Sequence, residues 1–268
     1  MKPLLVSVVR DEAMYEKCIA GNQFCDECEL MKIDNREKNE FISVLYNRVL
    51  EGLDYSQERW ILFAHEDLEF RGRIDGLLER ADKGSLYGVI GGVLRPRKRW
   101  LLGGFWAGVY YGHIWQCNKD GSDLKEVGEV VPLGTEVETV DCQFLAVHSS
   151  LVEKYHLRFD ENLSFDFYAE DFSINASEKY QIKTKILPFE ACHHSYGNVQ
   201  PRFFKQLEYL NQKYPNVEYF GSVGYNIGTG RTFMRRVQKK VRPFLDAYMP
   251  FIVKVYFKII DAGKGKNA

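Results

Sequence analysis

An α/β protein with a mostly parallel central sheet is the fold class this sequence predicts, on three observations. Short apolar runs of strand length alternate with stretches of helical periodicity, as βαβ units require. Several of those runs stop abruptly on acidic or imidazole side chains, most sharply at Trp60-Ile61-Leu62-Phe63-Ala64 before His65-Glu66-Asp67. A chain of 268 residues with 45% apolar residues, including sixteen Tyr and eighteen Phe, can fill a full core and wall a cleft.

Taken in order, Leu4 to Val9 reads as a first strand, and Asp11 to Ala20 as a helix start. Met31 to Ile33 is a weak second strand, closed by Asp34-Asn35. From Arg36 to Leu50, Phe41, Ile42, Leu45 and Val49 follow helical spacing. Trp60 to Ala64 is the next strand, Ile74 to Ala81 a helix, and Leu86 to Ile90 a strand ending at Gly91-Gly92. Val93 to Glu138 has little periodicity and is expected to form loops and short antiparallel strands. Then come a strand over Val140 to Val147, helices over Ser149 to Tyr155 and Ala169 to Lys179, and a strand over Thr184 to Leu187 ending near His193-His194. A helix over Pro201 to Tyr214 opens on its own proline.

Beyond residue 220 the pattern changes. Gly221 to Gly230 is Gly-rich without Gly-Lys-Ser/Thr, so it is a linker or lid and not a P-loop. Arg231, Arg235, Arg236, Lys239, Lys240 and Arg242 form a basic run, and Pro250 to Ile260 is strongly apolar. Residues 1–220 are therefore expected to form the main α/β domain, and 221–268 a linker and a helical tail. That tail suits either a membrane surface, with its basic run on anionic lipid, or a protein contact.

Net charge is −1, which excludes a whole-molecule binder of nucleic acid. No secretory signal or membrane-length span is apparent, so a cytoplasmic protein with reduced thiols is expected, at most peripheral to the membrane. The six Cys form no regular framework; Cys25 and Cys28 make a lone C-x-x-C near Cys18, without the second pair a zinc knuckle needs.

The chemistry-bearing residues gather at predicted strand ends: Asp11-Glu12, Asp34-Asn35, His65-Glu66-Asp67 and His193-His194, with Glu170-Asp171 at a helix start. Strand ends of a parallel sheet share one rim, where ligands bind. Each group also has a structural explanation. Asp34 with Glu37 fits a capping box, Asp171 fits a first-turn helix acid, and a single His is more often structural than a ligand.

Four passages resemble the GT-A-fold glycosyltransferases of the family-two-like kind, typified by the streptomycin-biosynthesis glycosyltransferase-like group. SVVRDEAMYEKCIAGN resembles the first nucleotide-binding strand and its loop, and WILFAHEDLEF the strand bearing the acidic metal motif. VDCQFLAVHSSLVEKYHLRFDENLSFDFYAEDFSINA resembles the acceptor-side strand with its Glu-Asp helix, and LPFEACHHSYGN the closing strand with a metal-side His. The resemblance implies a Rossmann-like GT-A domain, mixed and mostly parallel. Its implied activity is transfer of a sugar from a nucleotide-sugar donor to a glycan or lipid-linked acceptor, with inversion and with Mn2+ or Mg2+. It implies Asp67 and His194 as metal ligands, with His193 as the rival of His194. Asp171 or its neighbour Glu170 is implied as the base, and Asp11, Glu12, Asp34, Asn35, His65, Glu66 and Asp141 as donor-site residues. Trp100, Trp106 and Trp115 lie in the irregular middle, where an aromatic face suits a sugar, although a buried Trp is commoner. Two other classes stay open: a metal-dependent hydrolase using the same His/Asp cluster, and an inactive nucleotide-sugar-binding module.

Overall fold

The computed structural model describes residues 1–96, 106–195, 200–221 and 224–228. In chain order, β1 (Leu4–Val9) leads through α1 (Glu12–Tyr15) and a π turn to β2 (Glu29–Asp34), α2 (Ile42–Gly52) and β3 (Trp60–Ala64). Next come β4 (Leu68–Phe70), α3 (Asp75–Arg80), β5 (Ser85–Gly88), β6 (Ile90–Pro96), β7 (Trp106–Gly112), β8 (Ile114–Gln116) and β9 (Lys125–Val127). After β10 (Glu136–Val137), β11 (Thr139–Val140) and β12 (Phe144–His148), the chain forms α4 (Ser149–Tyr155), α5 (Tyr168–Tyr180), β13 (Lys183–Ile186), β14 (Ala191–His193) and α6 (Pro201–Lys213). Two short strands, β15 (Tyr219–Phe220) and β16 (Asn226–Ile227), come last.

The protein is mixed α/β around a seven-stranded sheet of order β10-β13-β5-β12-β3-β1-β2. Here β2, β1, β3, β5 and β13 point one way, while β12 and β10 are reversed. All residues of β1 and β3 are buried, as a strand covered on both faces demands. β2 lies at the sheet edge and is mostly exposed, which accounts for its weak apolar signal. A three-stranded sheet (β11-β6-β7) and a four-stranded one (β4-β14-β8-β9) complete the larger assembly.

Two compact units divide the chain: one is Met1–Glu208 with Tyr219–Asn226, and the other takes Tyr209–Glu218 and the chain from Ile227. In the second, the Gly228 amide donates to Asn211 Oδ1. The predicted tail, Arg231 to Ile260, lies outside the described residues, as do Trp100 and the side chain of Trp106. Among the described residues no helix is long and apolar enough to cross a membrane.

Several boundaries differ from expectation for local reasons. The second helix starts at Ile42, not Arg36, because the Asn35 side chain occupies both backbone groups of Glu40, accepting from its amide at 2.8 Å and donating to its carbonyl at 2.9 Å. Asn39 takes a left-handed φ of 49° within that loop. The Asp34–Glu37 capping box does not form; Asp34 Oδ1 instead accepts from the Arg36 amide in an Asx turn. The strand expected over Leu86 to Ile90 is two strands in different sheets. A Cβ at Gly88 would lie 2.3 Å from Val140 Cγ1, and one at Gly91 2.5 Å from the Thr139 carbonyl, so β11 can cross here only over glycine. The expected Val140–Val147 strand likewise divides into β11 and β12, and His193 belongs to a separate strand, β14, paired with β4.

Candidate metal and nucleotide site

The apolar run of β3 ends at the rim of the main sheet, where His65, Glu66 and Asp67 emerge. β14 arrives beside them antiparallel to β4, with Cys192 opposite Glu69 and His193 opposite Leu68. Strand alternation sends Cys192 and His194 to one side and His193 to the other. Two clusters of potential metal ligands result among the described residues: His65, Asp67 and His193, and separately Cys117, Cys192 and His194.

In the first cluster, His193 Nε2 lies 3.3 Å and His65 Nδ1 4.0 Å from Asp67 Oδ1. The Tyr168 hydroxyl donates to the Cys142 carbonyl at 2.5 Å, so its oxygen is left to accept from His65 Nε2 at 2.9 Å. This fixes the tautomer: the proton sits on Nε2, and the Nδ1 lone pair faces Asp67. Phe165 stacks on the imidazole at 5.3 Å between centroids.

Electrostatics follow from the same contacts. Burial works to raise the Asp67 carboxyl, but the charge and hydrogen bond of His193 outweigh it and hold Asp67 well below the usual carboxylate range. Burial alone would lower His193; Asp67 reverses the sign and raises it. His65 is lowered, chiefly by burial. The buried Nδ1 of His193 makes no hydrogen bond.

Two imidazoles and one carboxylate form a donor set that suits Mn2+ or another first-row ion better than Mg2+, which prefers oxygen ligands and water. The residues therefore fit a divalent ion, with His193 in the position that the resemblance gives to His194. The His194 ring turns away, its Nε2 2.8 Å from Glu69 and its Nδ1 3.3 Å from Cys117 Sγ.

A cleft of about 420 Å³ opens beside this cluster. Arg10, Asn35, Asn39, Glu40 and Phe41 line it from the ends of β1 and β2, and His65, Glu66 and Asp67 from the end of β3. Ser164 and Phe165 line it from the loop before α5, and Gln200 and Arg202 from the start of α6. Phe41 and Phe165 are exposed, at 48% and 41%, although the Phe165 ring is stacked on His65. Arg202 stands 5.2 Å over the Phe165 ring and donates to Asp166 Oδ2 at 2.8 Å.

The other predicted site residues have different partners. Glu66 lines the cleft, but its carboxylate accepts from the Arg10 and Asp11 amides at 2.8 and 3.0 Å, tying the end of β3 to the end of β1. Burial raises Glu66, and those bonds offset the shift only in part. Asp11 caps α1 through the Met14 amide and pairs with Lys119 at 2.9 Å, which with the cap holds its carboxyl below the ordinary range. Glu12 pairs with Lys32 and Arg36, and Asp34 with Arg36. Asp11, Glu12 and Asp34 are not among the residues lining the cleft, whereas Asn35 is. Asp141 is half-buried, accepts from the Gln143 amide at 3.0 Å, and acts electrostatically on both His65 and His193.

Glu170 and Asp171 open α5 and are buried, at 2% and 1% exposure. The Cys142 thiol donates to Glu170 at 3.1 Å. Neither carboxylate lines the cleft, and neither does Trp115. Asp166, in the loop that enters α5, was not singled out by the sequence; its charge reaches His65 and its side chain keeps 19% exposure. Arg10, Phe41, Phe165 and Arg202 were missed as well, since each is an ordinary loop or cap residue until the fold gathers them.

No protein-family model matches the chain, and no curated protein matches it.

Proposed function

We propose that the chain is a metal-dependent glycosyltransferase that binds a nucleotide-sugar in the cleft at the ends of β1, β2 and β3. The observation that carries this reading is the meeting of His65, Asp67 and His193 at the edge of a cleft that also presents aromatic faces, guanidinium groups and a backbone-fixed Asn35. The mixed, mostly parallel sheet supports it, being the kind that the resemblance implies.

Phe41 supplies an apolar surface for a base or sugar ring, and Phe165, stacked on His65, walls the cleft beside it. Asn35 shapes the loop through Glu40, and Arg10 and Arg202 offer cations to phosphate oxygens. His65, Asp67 and His193 would hold Mn2+, which when bound supplies positive charge to the departing diphosphate. Tyr168 keeps His65 in the ligating tautomer, and Glu66 holds the rim of β1 against β3.

The acceptor hydroxyl must give its proton to a carboxylate. The resemblance names Asp171, with Glu170 beside it, and their burial requires that a bound acceptor displace the side chains covering them. The exposure of Asp166, which pairs with the cleft-lining Arg202, favours a second reading, in which this carboxylate takes the proton. A glycan or a lipid-linked molecule is the acceptor in either case. Membrane docking of residues 231–260 remains part of the proposal for the lipid-linked one.

The test is a panel of nucleotide-sugars in thermal shift with and without Mn2+, followed by turnover of the best donor. A donor at about 100 times its dissociation constant adds roughly 2.7 kcal/mol of stability. Binding that depends on Mn2+ and disappears in Asp67→Ala supports the proposal. Metal-dependent turnover of phosphoesters with no nucleotide-sugar effect would give the site to a hydrolase, and donor binding without transfer to any acceptor would make it a binding module.

A further inference from the structure

On the opposite face of the ribbon from His193, Cys117, Cys192 and His194 meet, all buried. Cys117 follows β8, which runs parallel to β14 and sets Cys192 beside Trp115. The two sulfurs are 3.2 Å apart, and His194 Nδ1 is 3.3 Å from Cys117 Sγ. Glu69 stands behind the ring, 2.8 Å from Nε2, and is itself held by Arg71 at 3.0 Å. The carboxylate therefore keeps the proton on Nε2 and leaves the Nδ1 lone pair aimed at the sulfurs. This arrangement of a ligand His with a carboxylate on its far nitrogen is the one that orients metal-binding histidines.

We propose that Cys117, Cys192 and His194 form a second metal site that takes a thiophilic divalent ion, zinc, separate from the cluster of His65, Asp67 and His193. Two thiolates and an imidazole are soft donors that discriminate against Mg2+ and Mn2+. On binding, each thiol gives its proton to solvent and forms a sulfur–metal bond, so two negative charges neutralise the ion. An ion ~2.3 Å from each sulfur and ~2.0 Å from the nitrogen, at tetrahedral angles, separates two sulfurs by roughly 3.8 Å and sulfur from nitrogen by roughly 3.5 Å. The Cys117–Cys192 spacing would widen by about 0.6 Å and the Cys117–His194 spacing by about 0.2 Å. The ion would tie β8 to β14, and so fix the strand from which His193 projects.

Co2+ titration of the reduced full-length chain tests this. Thiolate-to-cobalt charge-transfer bands in the near ultraviolet are expected, displaced by zinc. They should vanish in Cys192→Ser and Cys117→Ser and persist in Asp67→Ala, which touches only the other cluster. Circular dichroism of each variant verifies folding. Glu69→Gln keeps all three ligands and should weaken cobalt binding about 10–100-fold. The proposal is overturned if the folded wild type shows no thiolate band, if the bands survive loss of both cysteines, or if the purified chain carries a Cys117–Cys192 disulfide and takes up no metal. None of these readouts uses a nucleotide-sugar, so the outcome is independent of the glycosyltransferase reading.

Discussion

Tyr168 accepts a hydrogen bond from His65 at 2.9 Å because its own proton is committed to the Cys142 carbonyl. A residue at the start of α5 thereby decides which nitrogen of a residue after β3 is open to a ligand. Tyr168→Phe removes that acceptor and lets the imidazole choose its tautomer. Mn2+ affinity, measured by calorimetry, is expected to fall about 10–100-fold, as losses behind metal-binding histidines do. Unchanged affinity would mean that His65 does not ligate.

The two adjacent histidines should behave differently. His193→Ala is expected to abolish Mn2+ binding at the cleft, since its Nε2 is 3.3 Å from Asp67. His194→Ala should leave that binding within a few-fold, because its ring faces Glu69 and Cys117. Electron paramagnetic resonance of bound Mn2+ reads both, and the reverse ranking would restore the assignment that the resemblance implied.

In the metal-free chain, His193 should titrate above its ordinary value of 6.5 and His65 below it. A raised folded pKa means that the His193–Asp67 contact stabilises fully below pH 6.5 and is lost as pH rises through the folded value. Asp67, held low, contributes above its ordinary 3.8 and loses that contribution as pH falls through its depressed folded value. Between 3.8 and 6.5 both are in force. NMR titration of the imidazoles tests the shifts, and Asp67→Asn should bring His193 down; a His193 that titrates at the same pH in both proteins would refute the pairing.

Glu66→Gln probes the tie between strand ends. A carboxylate accepts from both the Arg10 and Asp11 amides, whereas a primary amide has one acceptor oxygen and must point a donor at the other N–H. Loss of about 1–3 kcal/mol in denaturant unfolding is expected. A variant as stable as the wild type would show that the bonds add little.

What the sequence disclosed depended on burial on both faces. Strands β1 and β3 are fully buried, so each reads as a continuous apolar run, and their ends point to the rim without ambiguity. β2 at the sheet edge alternates weakly and was faint in the sequence. The split of Gly88 to Gly92 between two sheets was hidden because it depends on how closely Val140 and Thr139 approach, a tertiary fact. At the site, His65 and Asp67 were legible from one local motif. The choice of His193 over His194 was not, since it rests on the pairing of β14 with β4, and no spacing in the sequence predicts that pairing. Cys117 and Cys192 meet through the β8–β14 contact and form no motif at all.

The pairing of β14 with β4 also acts as a sorting device. Neighbouring histidines are directed to opposite sides, one toward an imidazole and a carboxylate and one toward thiols, by the pleat. A one-residue slip of that ribbon would turn His193 toward Cys117 and carry Cys192 and His194 over to the side of Asp67, so the cluster of Cys117, Cys192 and His194 would lose two of its three members. The sorting of these side chains into two clusters thus resides in strand register, and a single-residue deletion between Pro188 and Ala191 should disturb it more than any one substitution within a cluster.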